Sequence, residues 1–120
     1  MRTRIRQRDV QYVVQDGCLV RTVTAGSGDG RAYRHRCMKS TLEKVAHAIG
    51  ATPFDGVGTT GERIVREEDL PFTQVHVAMG FLKERGIVDV RHRRFYPVSQ
   101  DAYLDAMIEF YALAEESKRA

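Results

Sequence analysis

The stretch LPFTQVHVAMGFLKERGIVDVRHRRFYPV, Leu70 to Val98, constrains the fold more than any other part of this chain. Leu70–Pro71 breaks whatever precedes it, because proline has no N–H and restricts the residue before it. Thr73 can cap a helix that starts there. Val75, Ala78, Met79 and Leu82 recur at three- and four-residue intervals, so they share one face of a helix running to Arg85. Gly86 stops that helix, since glycine readily takes the left-handed conformation of a helix end. IVDV and RFYPV then flank a tight turn near His92–Arg93, which predicts a short basic hairpin. Val88 and Val90 alternate onto the side of that hairpin facing the core.

A helix and a hairpin of this size need other elements to bury their apolar faces. KSTLEKVAHAIG, Lys39 to Gly50, offers one. Ser40 and Glu43 have capping-box spacing, and Leu42, Val45, Ala46 and Ile49 fall on one helical face. After the loop ATPFDGVG, the run TTGERIVREED predicts a second helix, with Thr59 and Glu62 again spaced as a capping box. Upstream, VQYVVQ and CLVRTV flank Asp16–Gly17, a strong hairpin signal because a type I′ turn needs positive φ at both central residues. RAYRHR, Arg31 to Arg36, predicts a third strand beyond the loop TAGSGDG, completing a small meander. SQDAYLDAMIEFYALAEESKRA reads as a last helix capped by Ser99 or Asp101. On it Tyr103, Leu104, Met107, Ile108, Phe110, Tyr111 and Ala114 cover a wider arc than packing on one small core requires.

The 120 residues suffice for one domain with one modest core. No apolar run reaches the length of a membrane span, and the Arg-bearing N-terminus has no signal-peptide core. A soluble cytoplasmic protein with no membrane association is expected. Cys18 and Cys37 fit thiols buried as small hydrophobes. The charge is unevenly spread. Residues 1–50 carry 10 Lys/Arg against 4 acids, residues 51–100 carry 7 of each, and residues 101–120 carry 2 against 5; the sum is +6 + 0 − 3 = +3. A basic front and an acidic tail suggest an anionic partner on one side, although any single cluster also reads as ordinary solvated surface. In an extended MRTRIRQRD, Arg2, Arg4, Arg6 and Arg8 share one face and can act as a basic arm on phosphates, or fray in solvent.

Helix, helix, turn, helix and two-stranded wing, in that order over Lys39 to Val98, resembles the winged helix-turn-helix domain of bacterial transcriptional regulators. The resemblance is carried by LPxTxVxxAxxxLxERGxV from Leu70 to Val88. It implies double-stranded DNA as the partner, with the third helix entering the major groove. Placed on this chain, the reading positions are Phe72, Thr73, Gln74, His76, Val77, Gly80 and Phe81. The wing offers Arg91, His92, Arg93 and Arg94 to phosphates. Family members often pair through a terminal helix, which implies a homodimer through residues 103–114 matching palindromic DNA.

Val77, Gly80 and Phe81 carry no donors, and this leaves two further readings open. Phe81 packs sideways against the C-terminal helix while Gln74 and His76 read bases, or Phe72, Val77 and Phe81 form an apolar face for a protein partner. GVGTTG contains a GxGxxG match at Gly56, Gly58 and Gly61, but lacks the βαβ surroundings of a dinucleotide site. Cys18, His35, Cys37 and His47 fit no paired-ligand spacing. No nucleophile–base pattern appears, so neither enzyme chemistry nor a cofactor is expected.

The sequence thus predicts one α+β domain: a basic arm and β-meander over residues 1–38, a winged-helix domain over 39–98, and a dimerisation helix over 99–120. Its expected function is DNA binding by a small transcription regulator.

Overall fold

The described residues, 9–24, 32–52 and 56–119 of a computed structural model, form an α+β arrangement of four helices and two small antiparallel sheets. In chain order these are β1 (Asp9–Gln15), β2 (Cys18–Thr24), β3 (Tyr33–Cys37), α1 (Lys39–Gly50), α2 (Gly61–Glu68), α3 (Phe72–Glu84), β4 (Val88–Arg91), β5 (Arg94–Pro97) and α4 (Ala102–Arg119). Arg2, Arg4, Arg6 and Arg8 of the expected basic arm, residues 25–30 of the expected loop and Arg31 of the expected third strand lie outside the described residues.

Two turns follow the sequence closely. Asp16 and Gly17 have φ of 52° and 75°, and the hairpin they close pairs Gln15 with Cys18 through Asp9 with Thr24. His92 and Arg93 have φ of 52° and 67° and close the β4–β5 hairpin, with Arg91 opposite Arg94. Neither is glycine, so each left-handed residue there costs roughly 1–2 kcal/mol. The end of α3 is a Schellman motif. The Gly86 N–H donates to the Lys83 carbonyl (3.1 Å) and the Ile87 N–H to the Leu82 carbonyl (2.9 Å), with Gly86 at φ 72°.

The helix starts differ from expectation. α1 begins one residue before Ser40, after Met38, with no side-chain cap. α3 begins one residue before Thr73, after Pro71, also without one. Both residues therefore sit inside the first turn, where a hydroxyl cannot reach the free N–H groups as a cap does. In α2 the cap is Thr60, whose hydroxyl accepts from the Arg63 N–H (3.2 Å), instead of Thr59. Thr59 is otherwise engaged: its N–H and carbonyl bridge to Phe95 of β5 (3.1 and 2.8 Å). Gly58, at φ 74°, makes this bridge feasible. A Cβ there would lie 2.8 Å from the Tyr96 ring and 2.9 Å from the Arg94 Cβ.

α3 lies at the centre of the packing. Val75, Ala78, Met79 and Leu82 are buried where α3 meets α1 and α2, as their spacing predicts. A second side of α3 is also covered. Val77 is 1 % exposed and Phe81 is 0 % exposed, because the β1–β2–β3 sheet lies across the helix. Tyr12 of β1 meets Phe81 edge to face at 5.6 Å between ring centres, and Leu19 and Cys37 belong to the same core. Phe81 thus packs on Tyr12 of β1, a partner that neither open reading, the C-terminal helix or an exposed protein-binding face, names. Burial pushes the Cys37 thiol up to about 12, so it behaves as a small apolar group. α4 closes the other side: Ala106, Met107, Phe110 and Leu113 are buried against the body. Near its end the Val14 N–H donates to the Ser117 hydroxyl (3.0 Å), tying α4 to β1.

Gly80 shows how closely sheet and helix approach. A Cβ there would lie 2.5 Å from the Tyr12 hydroxyl but 3.8 Å from the ring carbon bearing it. Helix propensity alone favours Gly→Ala by about 1 kcal/mol, whereas forcing the hydroxyl aside costs about 1–3 kcal/mol. Gly80→Ala is therefore expected to destabilise the wild type and to be neutral or stabilising in a Tyr12→Phe background. Urea midpoints of the four proteins in this cycle check it. A more stable Gly80→Ala single variant contradicts the packing described.

Candidate functional site

Because two sides of α3 are covered, its exposed arc is narrow. It consists of Phe72, Thr73, His76, Lys83 and Glu84, with half-buried Gly80 at its middle. Thr73 and His76, two of the residues singled out from the sequence, lie on this arc. Phe72 is 54 % exposed and its ring lies 4.4 Å from that of His76. Val77, a third candidate, is a core residue and presents no surface to DNA. It and Phe81 were also two of the three residues of the alternative protein-binding face; of that set Phe72 remains exposed.

Gln74 is placed where it cannot read freely. Its side-chain oxygen accepts from the Met38 N–H (3.0 Å) and from the Thr41 hydroxyl (2.8 Å). Met38 and Thr41 open α1, so a side chain of α3 satisfies the helix start that Ser40 does not cap. The spacing of Ser40 and Glu43 contained no sign of this long-range partner.

The hairpin brings the other candidates together. Arg91, His92, Arg93 and Arg94 are consecutive and exposed around the turn. The Arg91 guanidinium lies 3.7 Å from the centre of the Tyr96 ring and its Nε is 3.4 Å from an Asp89 carboxylate oxygen. These contacts hold the Arg91 stem along the hairpin. The bridge from Thr59 to Phe95 fixes the base of the hairpin on the segment leading into α2. Guanidinium groups on a braced hairpin suit phosphate oxygens, which they can grip through two parallel N–H bonds.

Two basic residues of the meander gain a setting that the sequence does not show: Arg21, which has no role there, and His35, weighed there only as a metal ligand. Arg21 is the cross-strand neighbour of both Tyr12 on β1 and His35 on β3, giving the row Tyr12–Arg21–His35 on the face that meets α3. Asp16–Gly17 fixes the β1–β2 register and so placed Tyr12 opposite Arg21; the longer β2–β3 connection gave no such handle on His35. Tyr33 lies 4.8 Å from His35, ring centre to ring centre. Burial pushes the Tyr12 hydroxyl pKa up; the Arg21 charge pulls against this and Glu84 adds to it.

α4 divides its apolar residues between two faces. Met107 and Phe110 are in the core, whereas Leu104, Ile108 and Tyr111 are 55, 56 and 51 % exposed. Spaced four and three residues apart, these three form one ridge along the helix. Beside it, Tyr103 donates to Glu43 (3.2 Å) and stacks on His47 at 4.0 Å, and Lys39 lies 4.8 Å above the Tyr111 ring. Partial burial and the Glu43 charge raise the Tyr103 pKa, and a hydrogen bond with Tyr111 raises that of Lys39. Among the described residues no helix is long and apolar enough to cross a membrane, and no group of three or more His, Cys, Asp or Glu is placed to hold a metal ion. Comparisons with protein-family models, with curated proteins and with solved structures found no match.

Gln74→Ala leaves the buried Thr41 hydroxyl and the Met38 N–H without their acceptor. A loss of about 1–3 kcal/mol in stability is expected, the usual penalty for an orphaned buried polar group. Chemical denaturation checks it. An unchanged midpoint would free Gln74 for a surface role.

Proposed function

We infer that the protein binds double-stranded DNA as a winged helix-turn-helix protein, acting in the cytoplasm as a small transcription regulator. The observation that carries this reading is the exposed run Arg91–Arg94 at the tip of a hairpin braced on the helical frame. The order α1, α2, α3, hairpin supports the winged-helix assignment, as does the extra bridge from Thr59 to Phe95. Phosphate contacts supply most of the affinity of such an interface, and guanidinium groups supply the strongest of them. Base reading falls to the exposed arc of α3, where Thr73 can meet a thymine methyl or a phosphate and His76 can donate to a guanine. Two such side chains give modest selectivity for each subunit, so the affinity is expected to be dominated by charge.

Selectivity rises if two copies act together. The ridge Leu104–Ile108–Tyr111 is a large apolar surface on one helix, and a second copy presents the same ridge. Pairing about a two-fold axis buries both ridges and sets two reading heads for a palindromic site. A homodimer through residues 103–114 is therefore part of this reading, with the contact narrowed to the exposed ridge.

Two experiments test it. With Arg91, Arg93 and Arg94 changed to Ala, binding to specific and random duplexes should weaken alike, and the slope of log K against log salt should fall by about 0.9 for each lost phosphate contact. Fluorescence anisotropy at several salt concentrations measures this. A wild type that ignores DNA at low salt sinks the function, and an unchanged slope removes the hairpin from the interface.

For the dimer, Ile108→Glu should give a monomer that melts near the wild-type temperature, because position 108 is exposed within the subunit. Met107→Glu should unfold the subunit itself by burying an unpaired charge. Light scattering and thermal melts separate the two. A wild type that stays monomeric at high concentration rules the pairing out.

A further inference from the structure

The seam between the sheet and α3 contains an unmet hydrogen-bond donor. The Arg21 Nε is buried and has no hydrogen-bond partner among the described residues. Leaving a buried polar group unpaired costs about 1–3 kcal/mol, more for a charged one, and native structures seldom tolerate it without a ligand or solvent to take the bond. Arg21 does not stand alone. It is directly opposite Tyr12 on β1 and His35 on β3. Cross-strand partners of this kind have Cβ atoms about 4.5–5.5 Å apart, so the three side chains rise as one row on the same sheet face. That face is the one α3 crosses, as the Tyr12 contacts with Phe81 and Gly80 show.

The groups around the row favour an anion. The carboxylate that acts on the Tyr12 hydroxyl, Glu84, is already engaged by the Arg85 Nε at 3.1 Å. Arg21 is the cross-strand partner of Tyr12, and its charge opposes the burial-driven rise of the Tyr12 hydroxyl pKa. His35 at the edge strand is exposed and can donate from a ring nitrogen. On α3, His76 and Lys83 share the exposed arc with Gly80, and Gly80 is the residue the Tyr12 hydroxyl touches. Phenol, guanidinium and imidazole follow one another along one cross-strand row, and their O–H and N–H donors suit a tetrahedral oxyanion with several acceptor oxygens.

We propose that Arg21, with the Tyr12 hydroxyl and His35, forms a phosphate-binding site at the sheet–α3 seam, filled by a backbone phosphate of the nucleic acid. The assignment to nucleic acid rests on the function proposed above; the site as an oxyanion site does not. The N-terminal meander then does more than cover α3. It supplies a phosphate anchor beside the exposed arc of the helix, fixing how Thr73 and His76 meet the bases.

The test follows the Arg21 Nε–H signal of 15N-labelled protein by NMR, identified by its disappearance in Arg21→Lys. Sodium phosphate is exchanged for sodium chloride at constant ionic strength, and a short duplex or a glutamate-rich peptide is titrated separately. A saturable shift of this signal with both phosphate and duplex is expected, together with a salt slope for duplex binding lowered by about 0.9 in Arg21→Gln. Duplex binding by the wild type with the Arg21 signal unmoved overturns the site and leaves the DNA-binding reading intact. A phosphate shift in a protein that binds no duplex keeps the oxyanion site, overturns its assignment to nucleic acid and removes the DNA-binding reading. A shift with the peptide alone overturns the phosphate assignment in favour of a protein carboxylate. If Arg21→Gln does not fold, the wild-type titrations decide by themselves.

Discussion

The structure depends on the burial of α3 from two sides. Val75, Ala78, Met79 and Leu82 need one cover and Val77 and Phe81 need another, and no single neighbour can provide both. Helices α1 and α2 supply the first. The meander supplies the second, with Tyr12 set against Phe81 and its hydroxyl in the space a side chain at position 80 would take. Burying two such side chains contributes several kcal/mol, at roughly 1.5–3 kcal/mol each. That is a large share of what holds a domain of this size together. The sheet is therefore as much a part of the fold as the helices it lies on.

This arrangement redirects function. A helix covered on two sides keeps one exposed strip, and on α3 its polar side chains are Thr73, His76, Lys83 and Glu84. Arg91, Arg93 and Arg94 at the β4–β5 turn and Arg21, Arg34 and Arg36 on the meander lie off that strip. In the proposed DNA-binding reading, affinity for the anionic polymer falls to the hairpins and discrimination to a narrow strip of helix. Charge on hairpins is less exactingly positioned than charge on a helix in a groove, and it is the more sensitive to salt.

Local chemistry was legible in the sequence, and distant chemistry was not. Asp16–Gly17, Gly86 and the turn at His92–Arg93 each follow from residues next to one another, and the structure places all three as read. The core face of α3 follows from spacing alone. The helix starts do not, because Gln74 reaches across from α3 to satisfy α1, and Thr59 is taken by a bridge to Phe95. The spacing of Val77 and Phe81 is the same whether solvent or a sheet lies opposite, so it does not tell an outer face from a covered one. Nothing near them in sequence names Tyr12 as the cover. Likewise, the broad apolar arc of the last helix was visible, but its division into a core face and an exposed ridge depends on which side of α4 meets the body.

The clasp between Val14 and Ser117 joins residues near opposite ends of the described chain. During synthesis the meander leaves the ribosome first and α4 last. The strands can pair early through the Asp16–Gly17 turn, yet their apolar row has nothing to lie on until α3 emerges. The Val14 N–H then waits for Ser117, 103 residues further on, to appear. Contacts so far apart in sequence form late and slow the final docking step. The interval between the first strand and the last helix is thus the time for which this chain has an open sheet edge and a bare helix face to keep from its neighbours.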